Sequence, residues 1–219
     1  MKRRSLLFIA ILFALSLALT ACEPSVIGEK RAKIAGLGMI NLTFDTQAKE
    51  AEAEVALEER PGLSYINGIE AHLGDEDPIY FYTVKVGRQE DGNYRYYAEV
   101  NAVTGMAYRV DRNPSTIVLT AEQQSRADAL GTLDDFSPLD FSEVELDARE
   151  QAEHWVRDKL EPDVPILRII PNNIGSDSVD FPLVRMDCYV IFVDGEIYNI
   201  EVCWPTMEVI GVYLLNRDS

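Results

Sequence analysis

Residues 80–110 read YFYTVKVGRQEDGNYRYYAEVNAVTGMAYRV, and that stretch decides the fold class. Tyr80, Tyr82, Val84 and Val86 alternate with Phe81, Thr83 and Lys85. Tyr94, Tyr96, Ala98, Val100 and Ala102 alternate with Arg95, Tyr97, Glu99 and Asn101. Successive side chains of an extended strand point to opposite faces, so this period of two predicts a strand on each side of the polar, Gly-containing turn at 89–93. Thr104-Gly105 turns the chain again, into a third strand at Met106–Val110.

The residues before this hairpin predict a helix. Thr46 precedes an acidic first turn, and Ala48, Ala51, Val55 and Ala56 fall along one helical face, ended by Arg60-Pro61-Gly62. An extended stretch, Leu63 to His72, connects helix to hairpin. The same order returns between Asp147 and Asn216. Ala148, Ala152, Trp155, Val156 and Leu160 form an apolar helical stripe broken by Glu161-Pro162-Asp163, and an extended segment follows. Strands Met186–Val193 and Glu196–Trp204 then meet at Asp194-Gly195, a pair suited to a tight turn of positive φ. Val209–Leu214 corresponds to Met106–Val110. The expectation is an α+β protein of two repeats, 46–113 and 147–219, each one helix packed on a three- or four-stranded antiparallel sheet. Between them, 114–146 is a linker with a short helix, because Thr120 and Gln123 have capping-box spacing and Gly131 sits where a C-terminal cap belongs.

The segment Tyr97-Ala98-Glu99-Val100-Asn101-Ala102-Val103-Thr104-Gly105 resembles the signature of the PepSY domain, an aromatic-started strand running into Val-Asp-Ala-x-Thr-Gly and a short further strand. Asn101 stands where the family usually has Asp. The resemblance covers about residues 46–113. In the second half Val202-Cys203-Trp204-Pro205-Thr206 keeps the Val and Thr, while Met207 replaces the Gly, so that half is PepSY-like by arrangement only. The signature is structural: Asn101 can bond the turn backbone and small Ala102 can lie beneath a helix. PepSY domains occur in propeptides of secreted metallopeptidases and in envelope proteins, and are thought to restrain peptidases. The resemblance therefore implies a non-catalytic protein that binds or restrains a secreted peptidase or another envelope protein.

The N-terminal residues place that module. Lys2, Arg3 and Arg4 precede a run from Leu6 to Ala21 interrupted only by Ser16 and Thr20, the layout of a secretory signal. The run is short for a span of about 20 apolar residues. Leu19-Thr20-Ala21-Cys22 resembles a lipobox, which implies removal of residues 1–21 and diacylglycerol on Cys22. Two acyl chains hold a protein stably on a membrane where one does not. The expected location is the extracytoplasmic face of the cell membrane. Residues 22–45 then form a lipid-bearing tether, with Met39–Phe44 as an extra strand.

Composition limits the partners. Of 219 residues, 37 are acidic and 20 basic, for a formal charge of −17, and loss of Lys2, Arg3 and Arg4 makes it more negative. Such a surface repels phosphate, so nucleic acid is excluded as a partner and membrane contact falls to the lipid. The only histidines are His72 and His154, without His-x-Glu or Cys-x-x-Cys spacing near either. No metal site, cofactor or catalytic residue is assigned. Among the tyrosines, Tyr97 has the opposite strand parity to Tyr94 and Tyr96, which makes it the candidate for partner contact; cross-strand aromatic packing is the competing explanation for the group. Cys188 and Cys203 are a candidate disulfide. A two-residue Asp194-Gly195 turn would put Cys188 opposite Glu201 and Cys203 diagonally across on the same face, roughly 7–8 Å away, so a bridge needs a bulge or a shifted turn and free thiols are equally compatible. The function class competing with a partner-binding module is a lipoprotein that binds a small ligand or cell-wall component in a pocket between helix and sheet.

Overall fold

A computed structural model describes residues 25–60, 64–66, 69–71, 79–129, 141–160, 162–178 and 181–215. Cys22, the preceding signal-like segment, His72 and Gly131 lie outside the described residues.

The architecture is α+β. Helix α1 (Glu29–Phe44) precedes strands β1 (Ala53–Arg60), β2 (Ser64–Ile66), β3 (Ile69–Ala71), β4 (Ile79–Arg88), β5 (Tyr94–Asn101) and β6 (Ala107–Arg112). Helix α2 (Ala121–Ala129) and helix α3 (Phe141–Leu160) follow, then β7 (Ile166–Ser178), β8 (Phe181–Phe192), β9 (Ile197–Trp204) and β10 (Glu208–Leu214). Eight strands form one antiparallel sheet in the order β1-β4-β5-β6-β10-β9-β8-β7, while β2 and β3 pair separately. A helix followed by four strands of the main sheet thus occurs twice in the chain. The two strand sets meet where β6 pairs β10, through Val110 opposite Val212 and Arg109 opposite Tyr213.

Strand alternation sorts the apolar residues onto one face. Val84, Ala98, Val100, Val110, Val212, Ile200, Val202, Met186, Cys188 and Val190 are nearly or wholly buried in one cluster. Ala32, Leu37 and Ile40 of α1 join it, as do Ala148, Ala152, Trp155 and Val156 of α3. Helix α1 lies on β1, β4, β5 and β6, helix α3 on β7, β8 and β9, and both reach β10. Thr120 and Gln123 make the reciprocal capping pair their spacing predicts, with N–H donations of 2.9 Å to Gln123 Oε1 and 3.2 Å to Thr120 Oγ1.

Three expectations need correction. The helix predicted from Thr46 is a loop, a 3-10 turn at Glu50–Glu52 and the edge strand β1. The helix before it ends at Asp45, at φ 51°, and Asn41 holds the loop that follows, accepting from Thr46 Oγ1 at 2.6 Å and Ala48 N–H at 2.9 Å and donating to Ala48 O at 3.1 Å. Glutamates at 54, 58 and 59 suit an edge strand, where charge discourages further pairing. The first-half helix lies instead at Glu29–Phe44, so Met39–Phe44 is helix and not an extra strand, and 29–44 is no tether. Gly36 and Gly38 lower helix propensity there, but Gly36 faces the sheet so closely that a Cβ would sit 2.6 Å from Val84 Cγ2. Docking onto the sheet stabilises what local propensity does not.

The third correction is the register of β8 and β9. Phe192 N–H donates to Glu196 O at 2.9 Å, leaving Val193, Asp194 and Gly195 as a three-residue loop with Gly195 at φ 92°. Pairing is displaced by one residue: Cys188 faces Ile200 and Cys203 faces Arg185. The two cysteines are therefore on opposite faces, both buried and not bonded to each other, which overturns the candidate disulfide. Cys188 belongs to the helix-side core, whereas Cys203 packs with Ile117, Leu183 and Ile210, where the linker crosses the other face.

Candidate functional site

The sheet face turned away from α1 and α3 carries a polar cluster across the β6–β10 junction. Alternation brings Tyr97 and Glu99 of β5, Arg109 and Asp111 of β6, Tyr213 of β10, Glu201 of β9 and Arg185 of β8 to this face. A bulge between Glu99 and Val100 against β6 adds Tyr108 to the set. Such a bulge places two consecutive side chains against one partner residue.

Arg109 is the hub. Its Nε donates to Asp111 Oδ2 at 2.7 Å, one terminal nitrogen lies 3.4 Å from Glu99 Oε1, and the other donates to Tyr213 Oη at 3.3 Å. The guanidinium carbon lies 4.8 Å from the Tyr213 ring centre and 5.8 Å from that of Tyr97, within cation–π range. Tyr97 donates to Glu99 Oε1 at 2.8 Å and Tyr108 to Glu99 Oε2 at 2.6 Å, while Tyr213 donates to Asp111 Oδ1. Burial opposes the charge of Arg109, yet Asp111, Tyr213 and Glu99 hold its pKa above the ordinary arginine value. Burial, with the carboxylates nearby, raises the phenols of Tyr97 and Tyr213 well above their usual range. At neutral pH the hub is a guanidinium cation flanked by neutral phenol rings.

Glu201 lies beside it, only 7% exposed. Its carboxylate rests over the backbone of β10 because residue 211 is Gly; a Cβ there would be 2.6 Å from Glu201 Oε2. Burial pushes its pKa up to about 7, against the opposing charge of Arg185, whose Nε is 4.0 Å away. Together these groups line a concavity of about 320 Å³ that includes Tyr94, Tyr97, Arg109, Glu201 and Tyr213.

Tyr97, chosen from parity alone, lies in this cluster. The other tyrosines divide: Tyr82 is buried on the helix side and donates to Ile27 O at 2.6 Å, Tyr96 stacks on Phe44 at 5.0 Å, and Tyr94 donates to Glu54 at 2.6 Å. Arg109, Asp111, Glu201 and Tyr213 were missed. The available signal was odd parity in Met106–Val110 and Val209–Leu214, but it becomes a site only once β6 and β10 are known to pair. His154 lies on the other side, exposed on α3, with Nδ1 2.8 Å from Asp158. Among the described residues, no three His, Cys, Asp or Glu are grouped to hold a metal ion, and no helix is long and apolar enough to cross a membrane.

A second concavity, about 520 Å³, opens on the helix side between the C-terminal ends of α1 and α3, above the β9–β10 turn. Its rim holds two ion pairs, Arg112 with Glu208 and Lys159 with Asp45, and a contact of 2.8 Å between His154 Nδ1 and Asp158.

No family model matches the sequence. No curated protein matches it either. Among solved structures, the Bacillus megaterium YpeB C-terminal domain is similar, with 9% sequence identity and a TM-score of 0.40. The alignment covers 86% of this chain and 63% of that one, so the chain spans less than two thirds of its neighbour.

Proposed function

We propose that this protein is a lipid-anchored, non-catalytic extracytoplasmic module of two PepSY-like repeats that binds or restrains a secreted peptidase or another envelope protein. The single observation that carries the reading is the concavity at the β6–β10 junction, where Tyr97 is held by Glu99, Arg109 donates to Tyr213, and both rings lie within cation–π range of Arg109. Tyrosine and arginine are over-represented among residues that dominate binding energy, and side chains held in place beforehand lose little entropy when a partner arrives. The two occurrences of a helix followed by four sheet strands support the repeat reading. Leu19-Thr20-Ala21-Cys22 supports anchoring through diacylglycerol on Cys22. The acidic composition favours a partner with a basic contact surface.

The test is inhibition or binding of a secreted peptidase from the same envelope by the mature protein, with Tyr97→Ala, Tyr213→Ala and, as a control on exposed α3, Glu150→Ala. Weakening of about tenfold or more in both tyrosine variants, and none in the control, is expected. Folded tyrosine variants that bind as well as wild type remove this face from the function.

The second reading, capture of a small ligand or cell-wall component, is favoured by the helix-side cleft, which is the larger of the two concavities described.

A further inference from the structure

Helices α1 and α3 pack on the same side of one sheet, yet their outer faces differ in kind. The exposed residues of α3 are those of an ordinary solvated helix, with Asp147, Arg149, Glu150, Arg157 and Asp158 among them. On α1 the exposed positions are Glu29, Lys30, Arg31, Ile34, Gly38 and Leu42. Ile34 and Leu42 are 51% and 40% exposed, and with Gly38 they stand four residues apart, about one turn each along a single face. Residues 34–44 contain no charged side chain at all. A lone exposed leucine needs no explanation, but a helix apolar on its outer as well as its inner face is built to be covered on both.

Tether length and charge point to what covers it. Ile27, two residues before the helix, is pinned to the end of the sheet, where its N–H donates to Ala102 O at 2.7 Å and its O accepts from Tyr82 Oη at 2.6 Å. Cys22 is five residues earlier, so a lipid on it is held within about 18 Å of that point. Membrane and α1 are thereby confined together, and a contact too weak to form between free molecules gains an effective concentration in the millimolar range. In a chain of net charge −17, the first turns of α1 hold Lys30, Arg31 and Lys33 against Glu29 alone. They stand at the end of the helix nearest the tether, and each Lys or Arg beside an anionic headgroup layer adds about fivefold to affinity. Val26, next to the pinned residue, and Val103, next to Ala102, are 42% and 49% exposed and add apolar surface at the same end. At 16 residues α1 is about 24 Å long, too short to span a bilayer but able to lie along one.

We propose that the outer face of α1 lies on the anionic phospholipid surface to which Cys22 tethers the chain, with Ile34, Gly38 and Leu42 at the headgroup boundary and Lys30 and Arg31 against the phosphates. The inference rests on the anchoring part of the reading above and gives the anchored protein an orientation. With α1 against lipid, the face bearing Tyr97, Arg109 and Tyr213, on the opposite side of the sheet, is turned away from the membrane and towards a partner. The negative charge of the rest of the surface keeps other faces off the headgroups.

The experiment couples the mature chain through Cys22 to a maleimide-bearing lipid in nanodiscs of phosphatidylcholine and phosphatidylglycerol, so that attachment does not depend on native lipidation; Cys188 and Cys203 are buried. A trace lipid with gadolinium on its headgroup then broadens the ¹³C-methyl NMR signals of side chains at the surface. The Ile34 and Leu42 signals are expected to be lost. Leu146, Leu167 and Val193, as exposed elsewhere at 53%, 60% and 56%, should persist. Leu42 is the discriminating signal, because it lies at the end of α1 away from the tether. In Leu42→Asp, shown to be folded by unchanged Val110 and Val212 signals, the Ile34 signal should return, and in nanodiscs of phosphatidylcholine alone both signals should be partly restored. The proposal is overturned if Leu42 persists in the anionic nanodiscs, if Leu146, Leu167 and Val193 are lost with it, or if anionic and neutral nanodiscs act alike. It is also overturned if Ile34 and Leu42 shift with protein concentration in the absence of lipid, which assigns the face to a second copy of the chain. Intact mass of the protein from its native envelope tests the anchor separately. An unmodified Cys22 removes the anchoring reading whatever the nanodiscs show; a lipid on Cys22 with Leu42 unaffected removes this inference alone.

Discussion

Glu201 shows how one side chain can make the molecule sensitive to pH. Its carboxyl is raised from an ordinary 4.5 to about 7, first by burial and then by Asp187 and Asp111, with Arg185 opposing. The folded protein holds that proton more tightly than the unfolded chain, so the contribution to stability is complete below about pH 4.5 and is lost as pH rises towards and past 7. The loss by pH 8 is about 3 kcal/mol. Glu201→Gln, neutral throughout, should lack this decline. Urea unfolding of both proteins at pH 5, 6, 7 and 8 measures it, and parallel curves across that range would exclude the effect. Gly211→Ala presses on the same carboxylate from β10 and should destabilise by about 1–3 kcal/mol. The cysteines behave differently for a related reason. Burial raises the Cys188 thiol to about 11, so at pH 8 it is protonated and shielded. Neither Cys188 nor Cys203 should react with a thiol reagent in the folded state, and both should react after unfolding without reductant. Loss of both reactive thiols would mean a bridge that the opposed faces forbid.

At the scale of elements, what the sequence made legible was whatever alternates strongly. The strands of residues 80–110 and the helical stripe Ala148, Ala152, Trp155 and Val156 are found as expected, because a period of 2 or 3.6 fixes which side chains can reach a core. Met39–Phe44 and Ala48–Ala56 were exchanged, helix for strand, because each is short and its apolar positions satisfy both periods. What separates them is contact at a distance, with Gly36 against Val84 and β1 along β4. The site was less legible than the fold, since Arg109 and Tyr213 are 104 residues apart in sequence. The two glycines of α1 test this account directly. Gly38 is exposed with open space around it, so Gly38→Ala should stabilise by about 0.5–1 kcal/mol through helix propensity. Gly36→Ala gains the same propensity but drives a methyl into Val84, and should destabilise by about 1–2 kcal/mol overall. Thermal unfolding of the two variants should shift in opposite directions; equal shifts would mean that α1 is not seated as closely as Gly36 permits.

At the scale of the molecule, the question is whether the two helix-and-strand sets act as separate units or as one. The sheet does not stop at their boundary: Val110 and Val212 face each other across it, both fully buried. The same hydrophobic cluster contains Ile40 and Val84 from one side and Met186, Val202 and Val156 from the other. Both α1 and α3 touch β10. Separating the sets would expose apolar surface and leave β6 and β10 as unpaired edges, which favours joint unfolding over opening at the junction. Val212→Ala should therefore cost about 2 kcal/mol and be felt far from its own strands. Amide hydrogen exchange distinguishes the cases under conditions where the slowest amides report global opening. In a single unit, β4 and β5 lose protection as β8 and β9 do, by roughly 30-fold. In two independent units, exchange accelerates in β8 and β9 while β4 and β5 keep their wild-type rates. Joint loss would also mean that ligand or partner binding on either face stabilises the whole sheet, since both sites straddle the junction whose opening unfolds it.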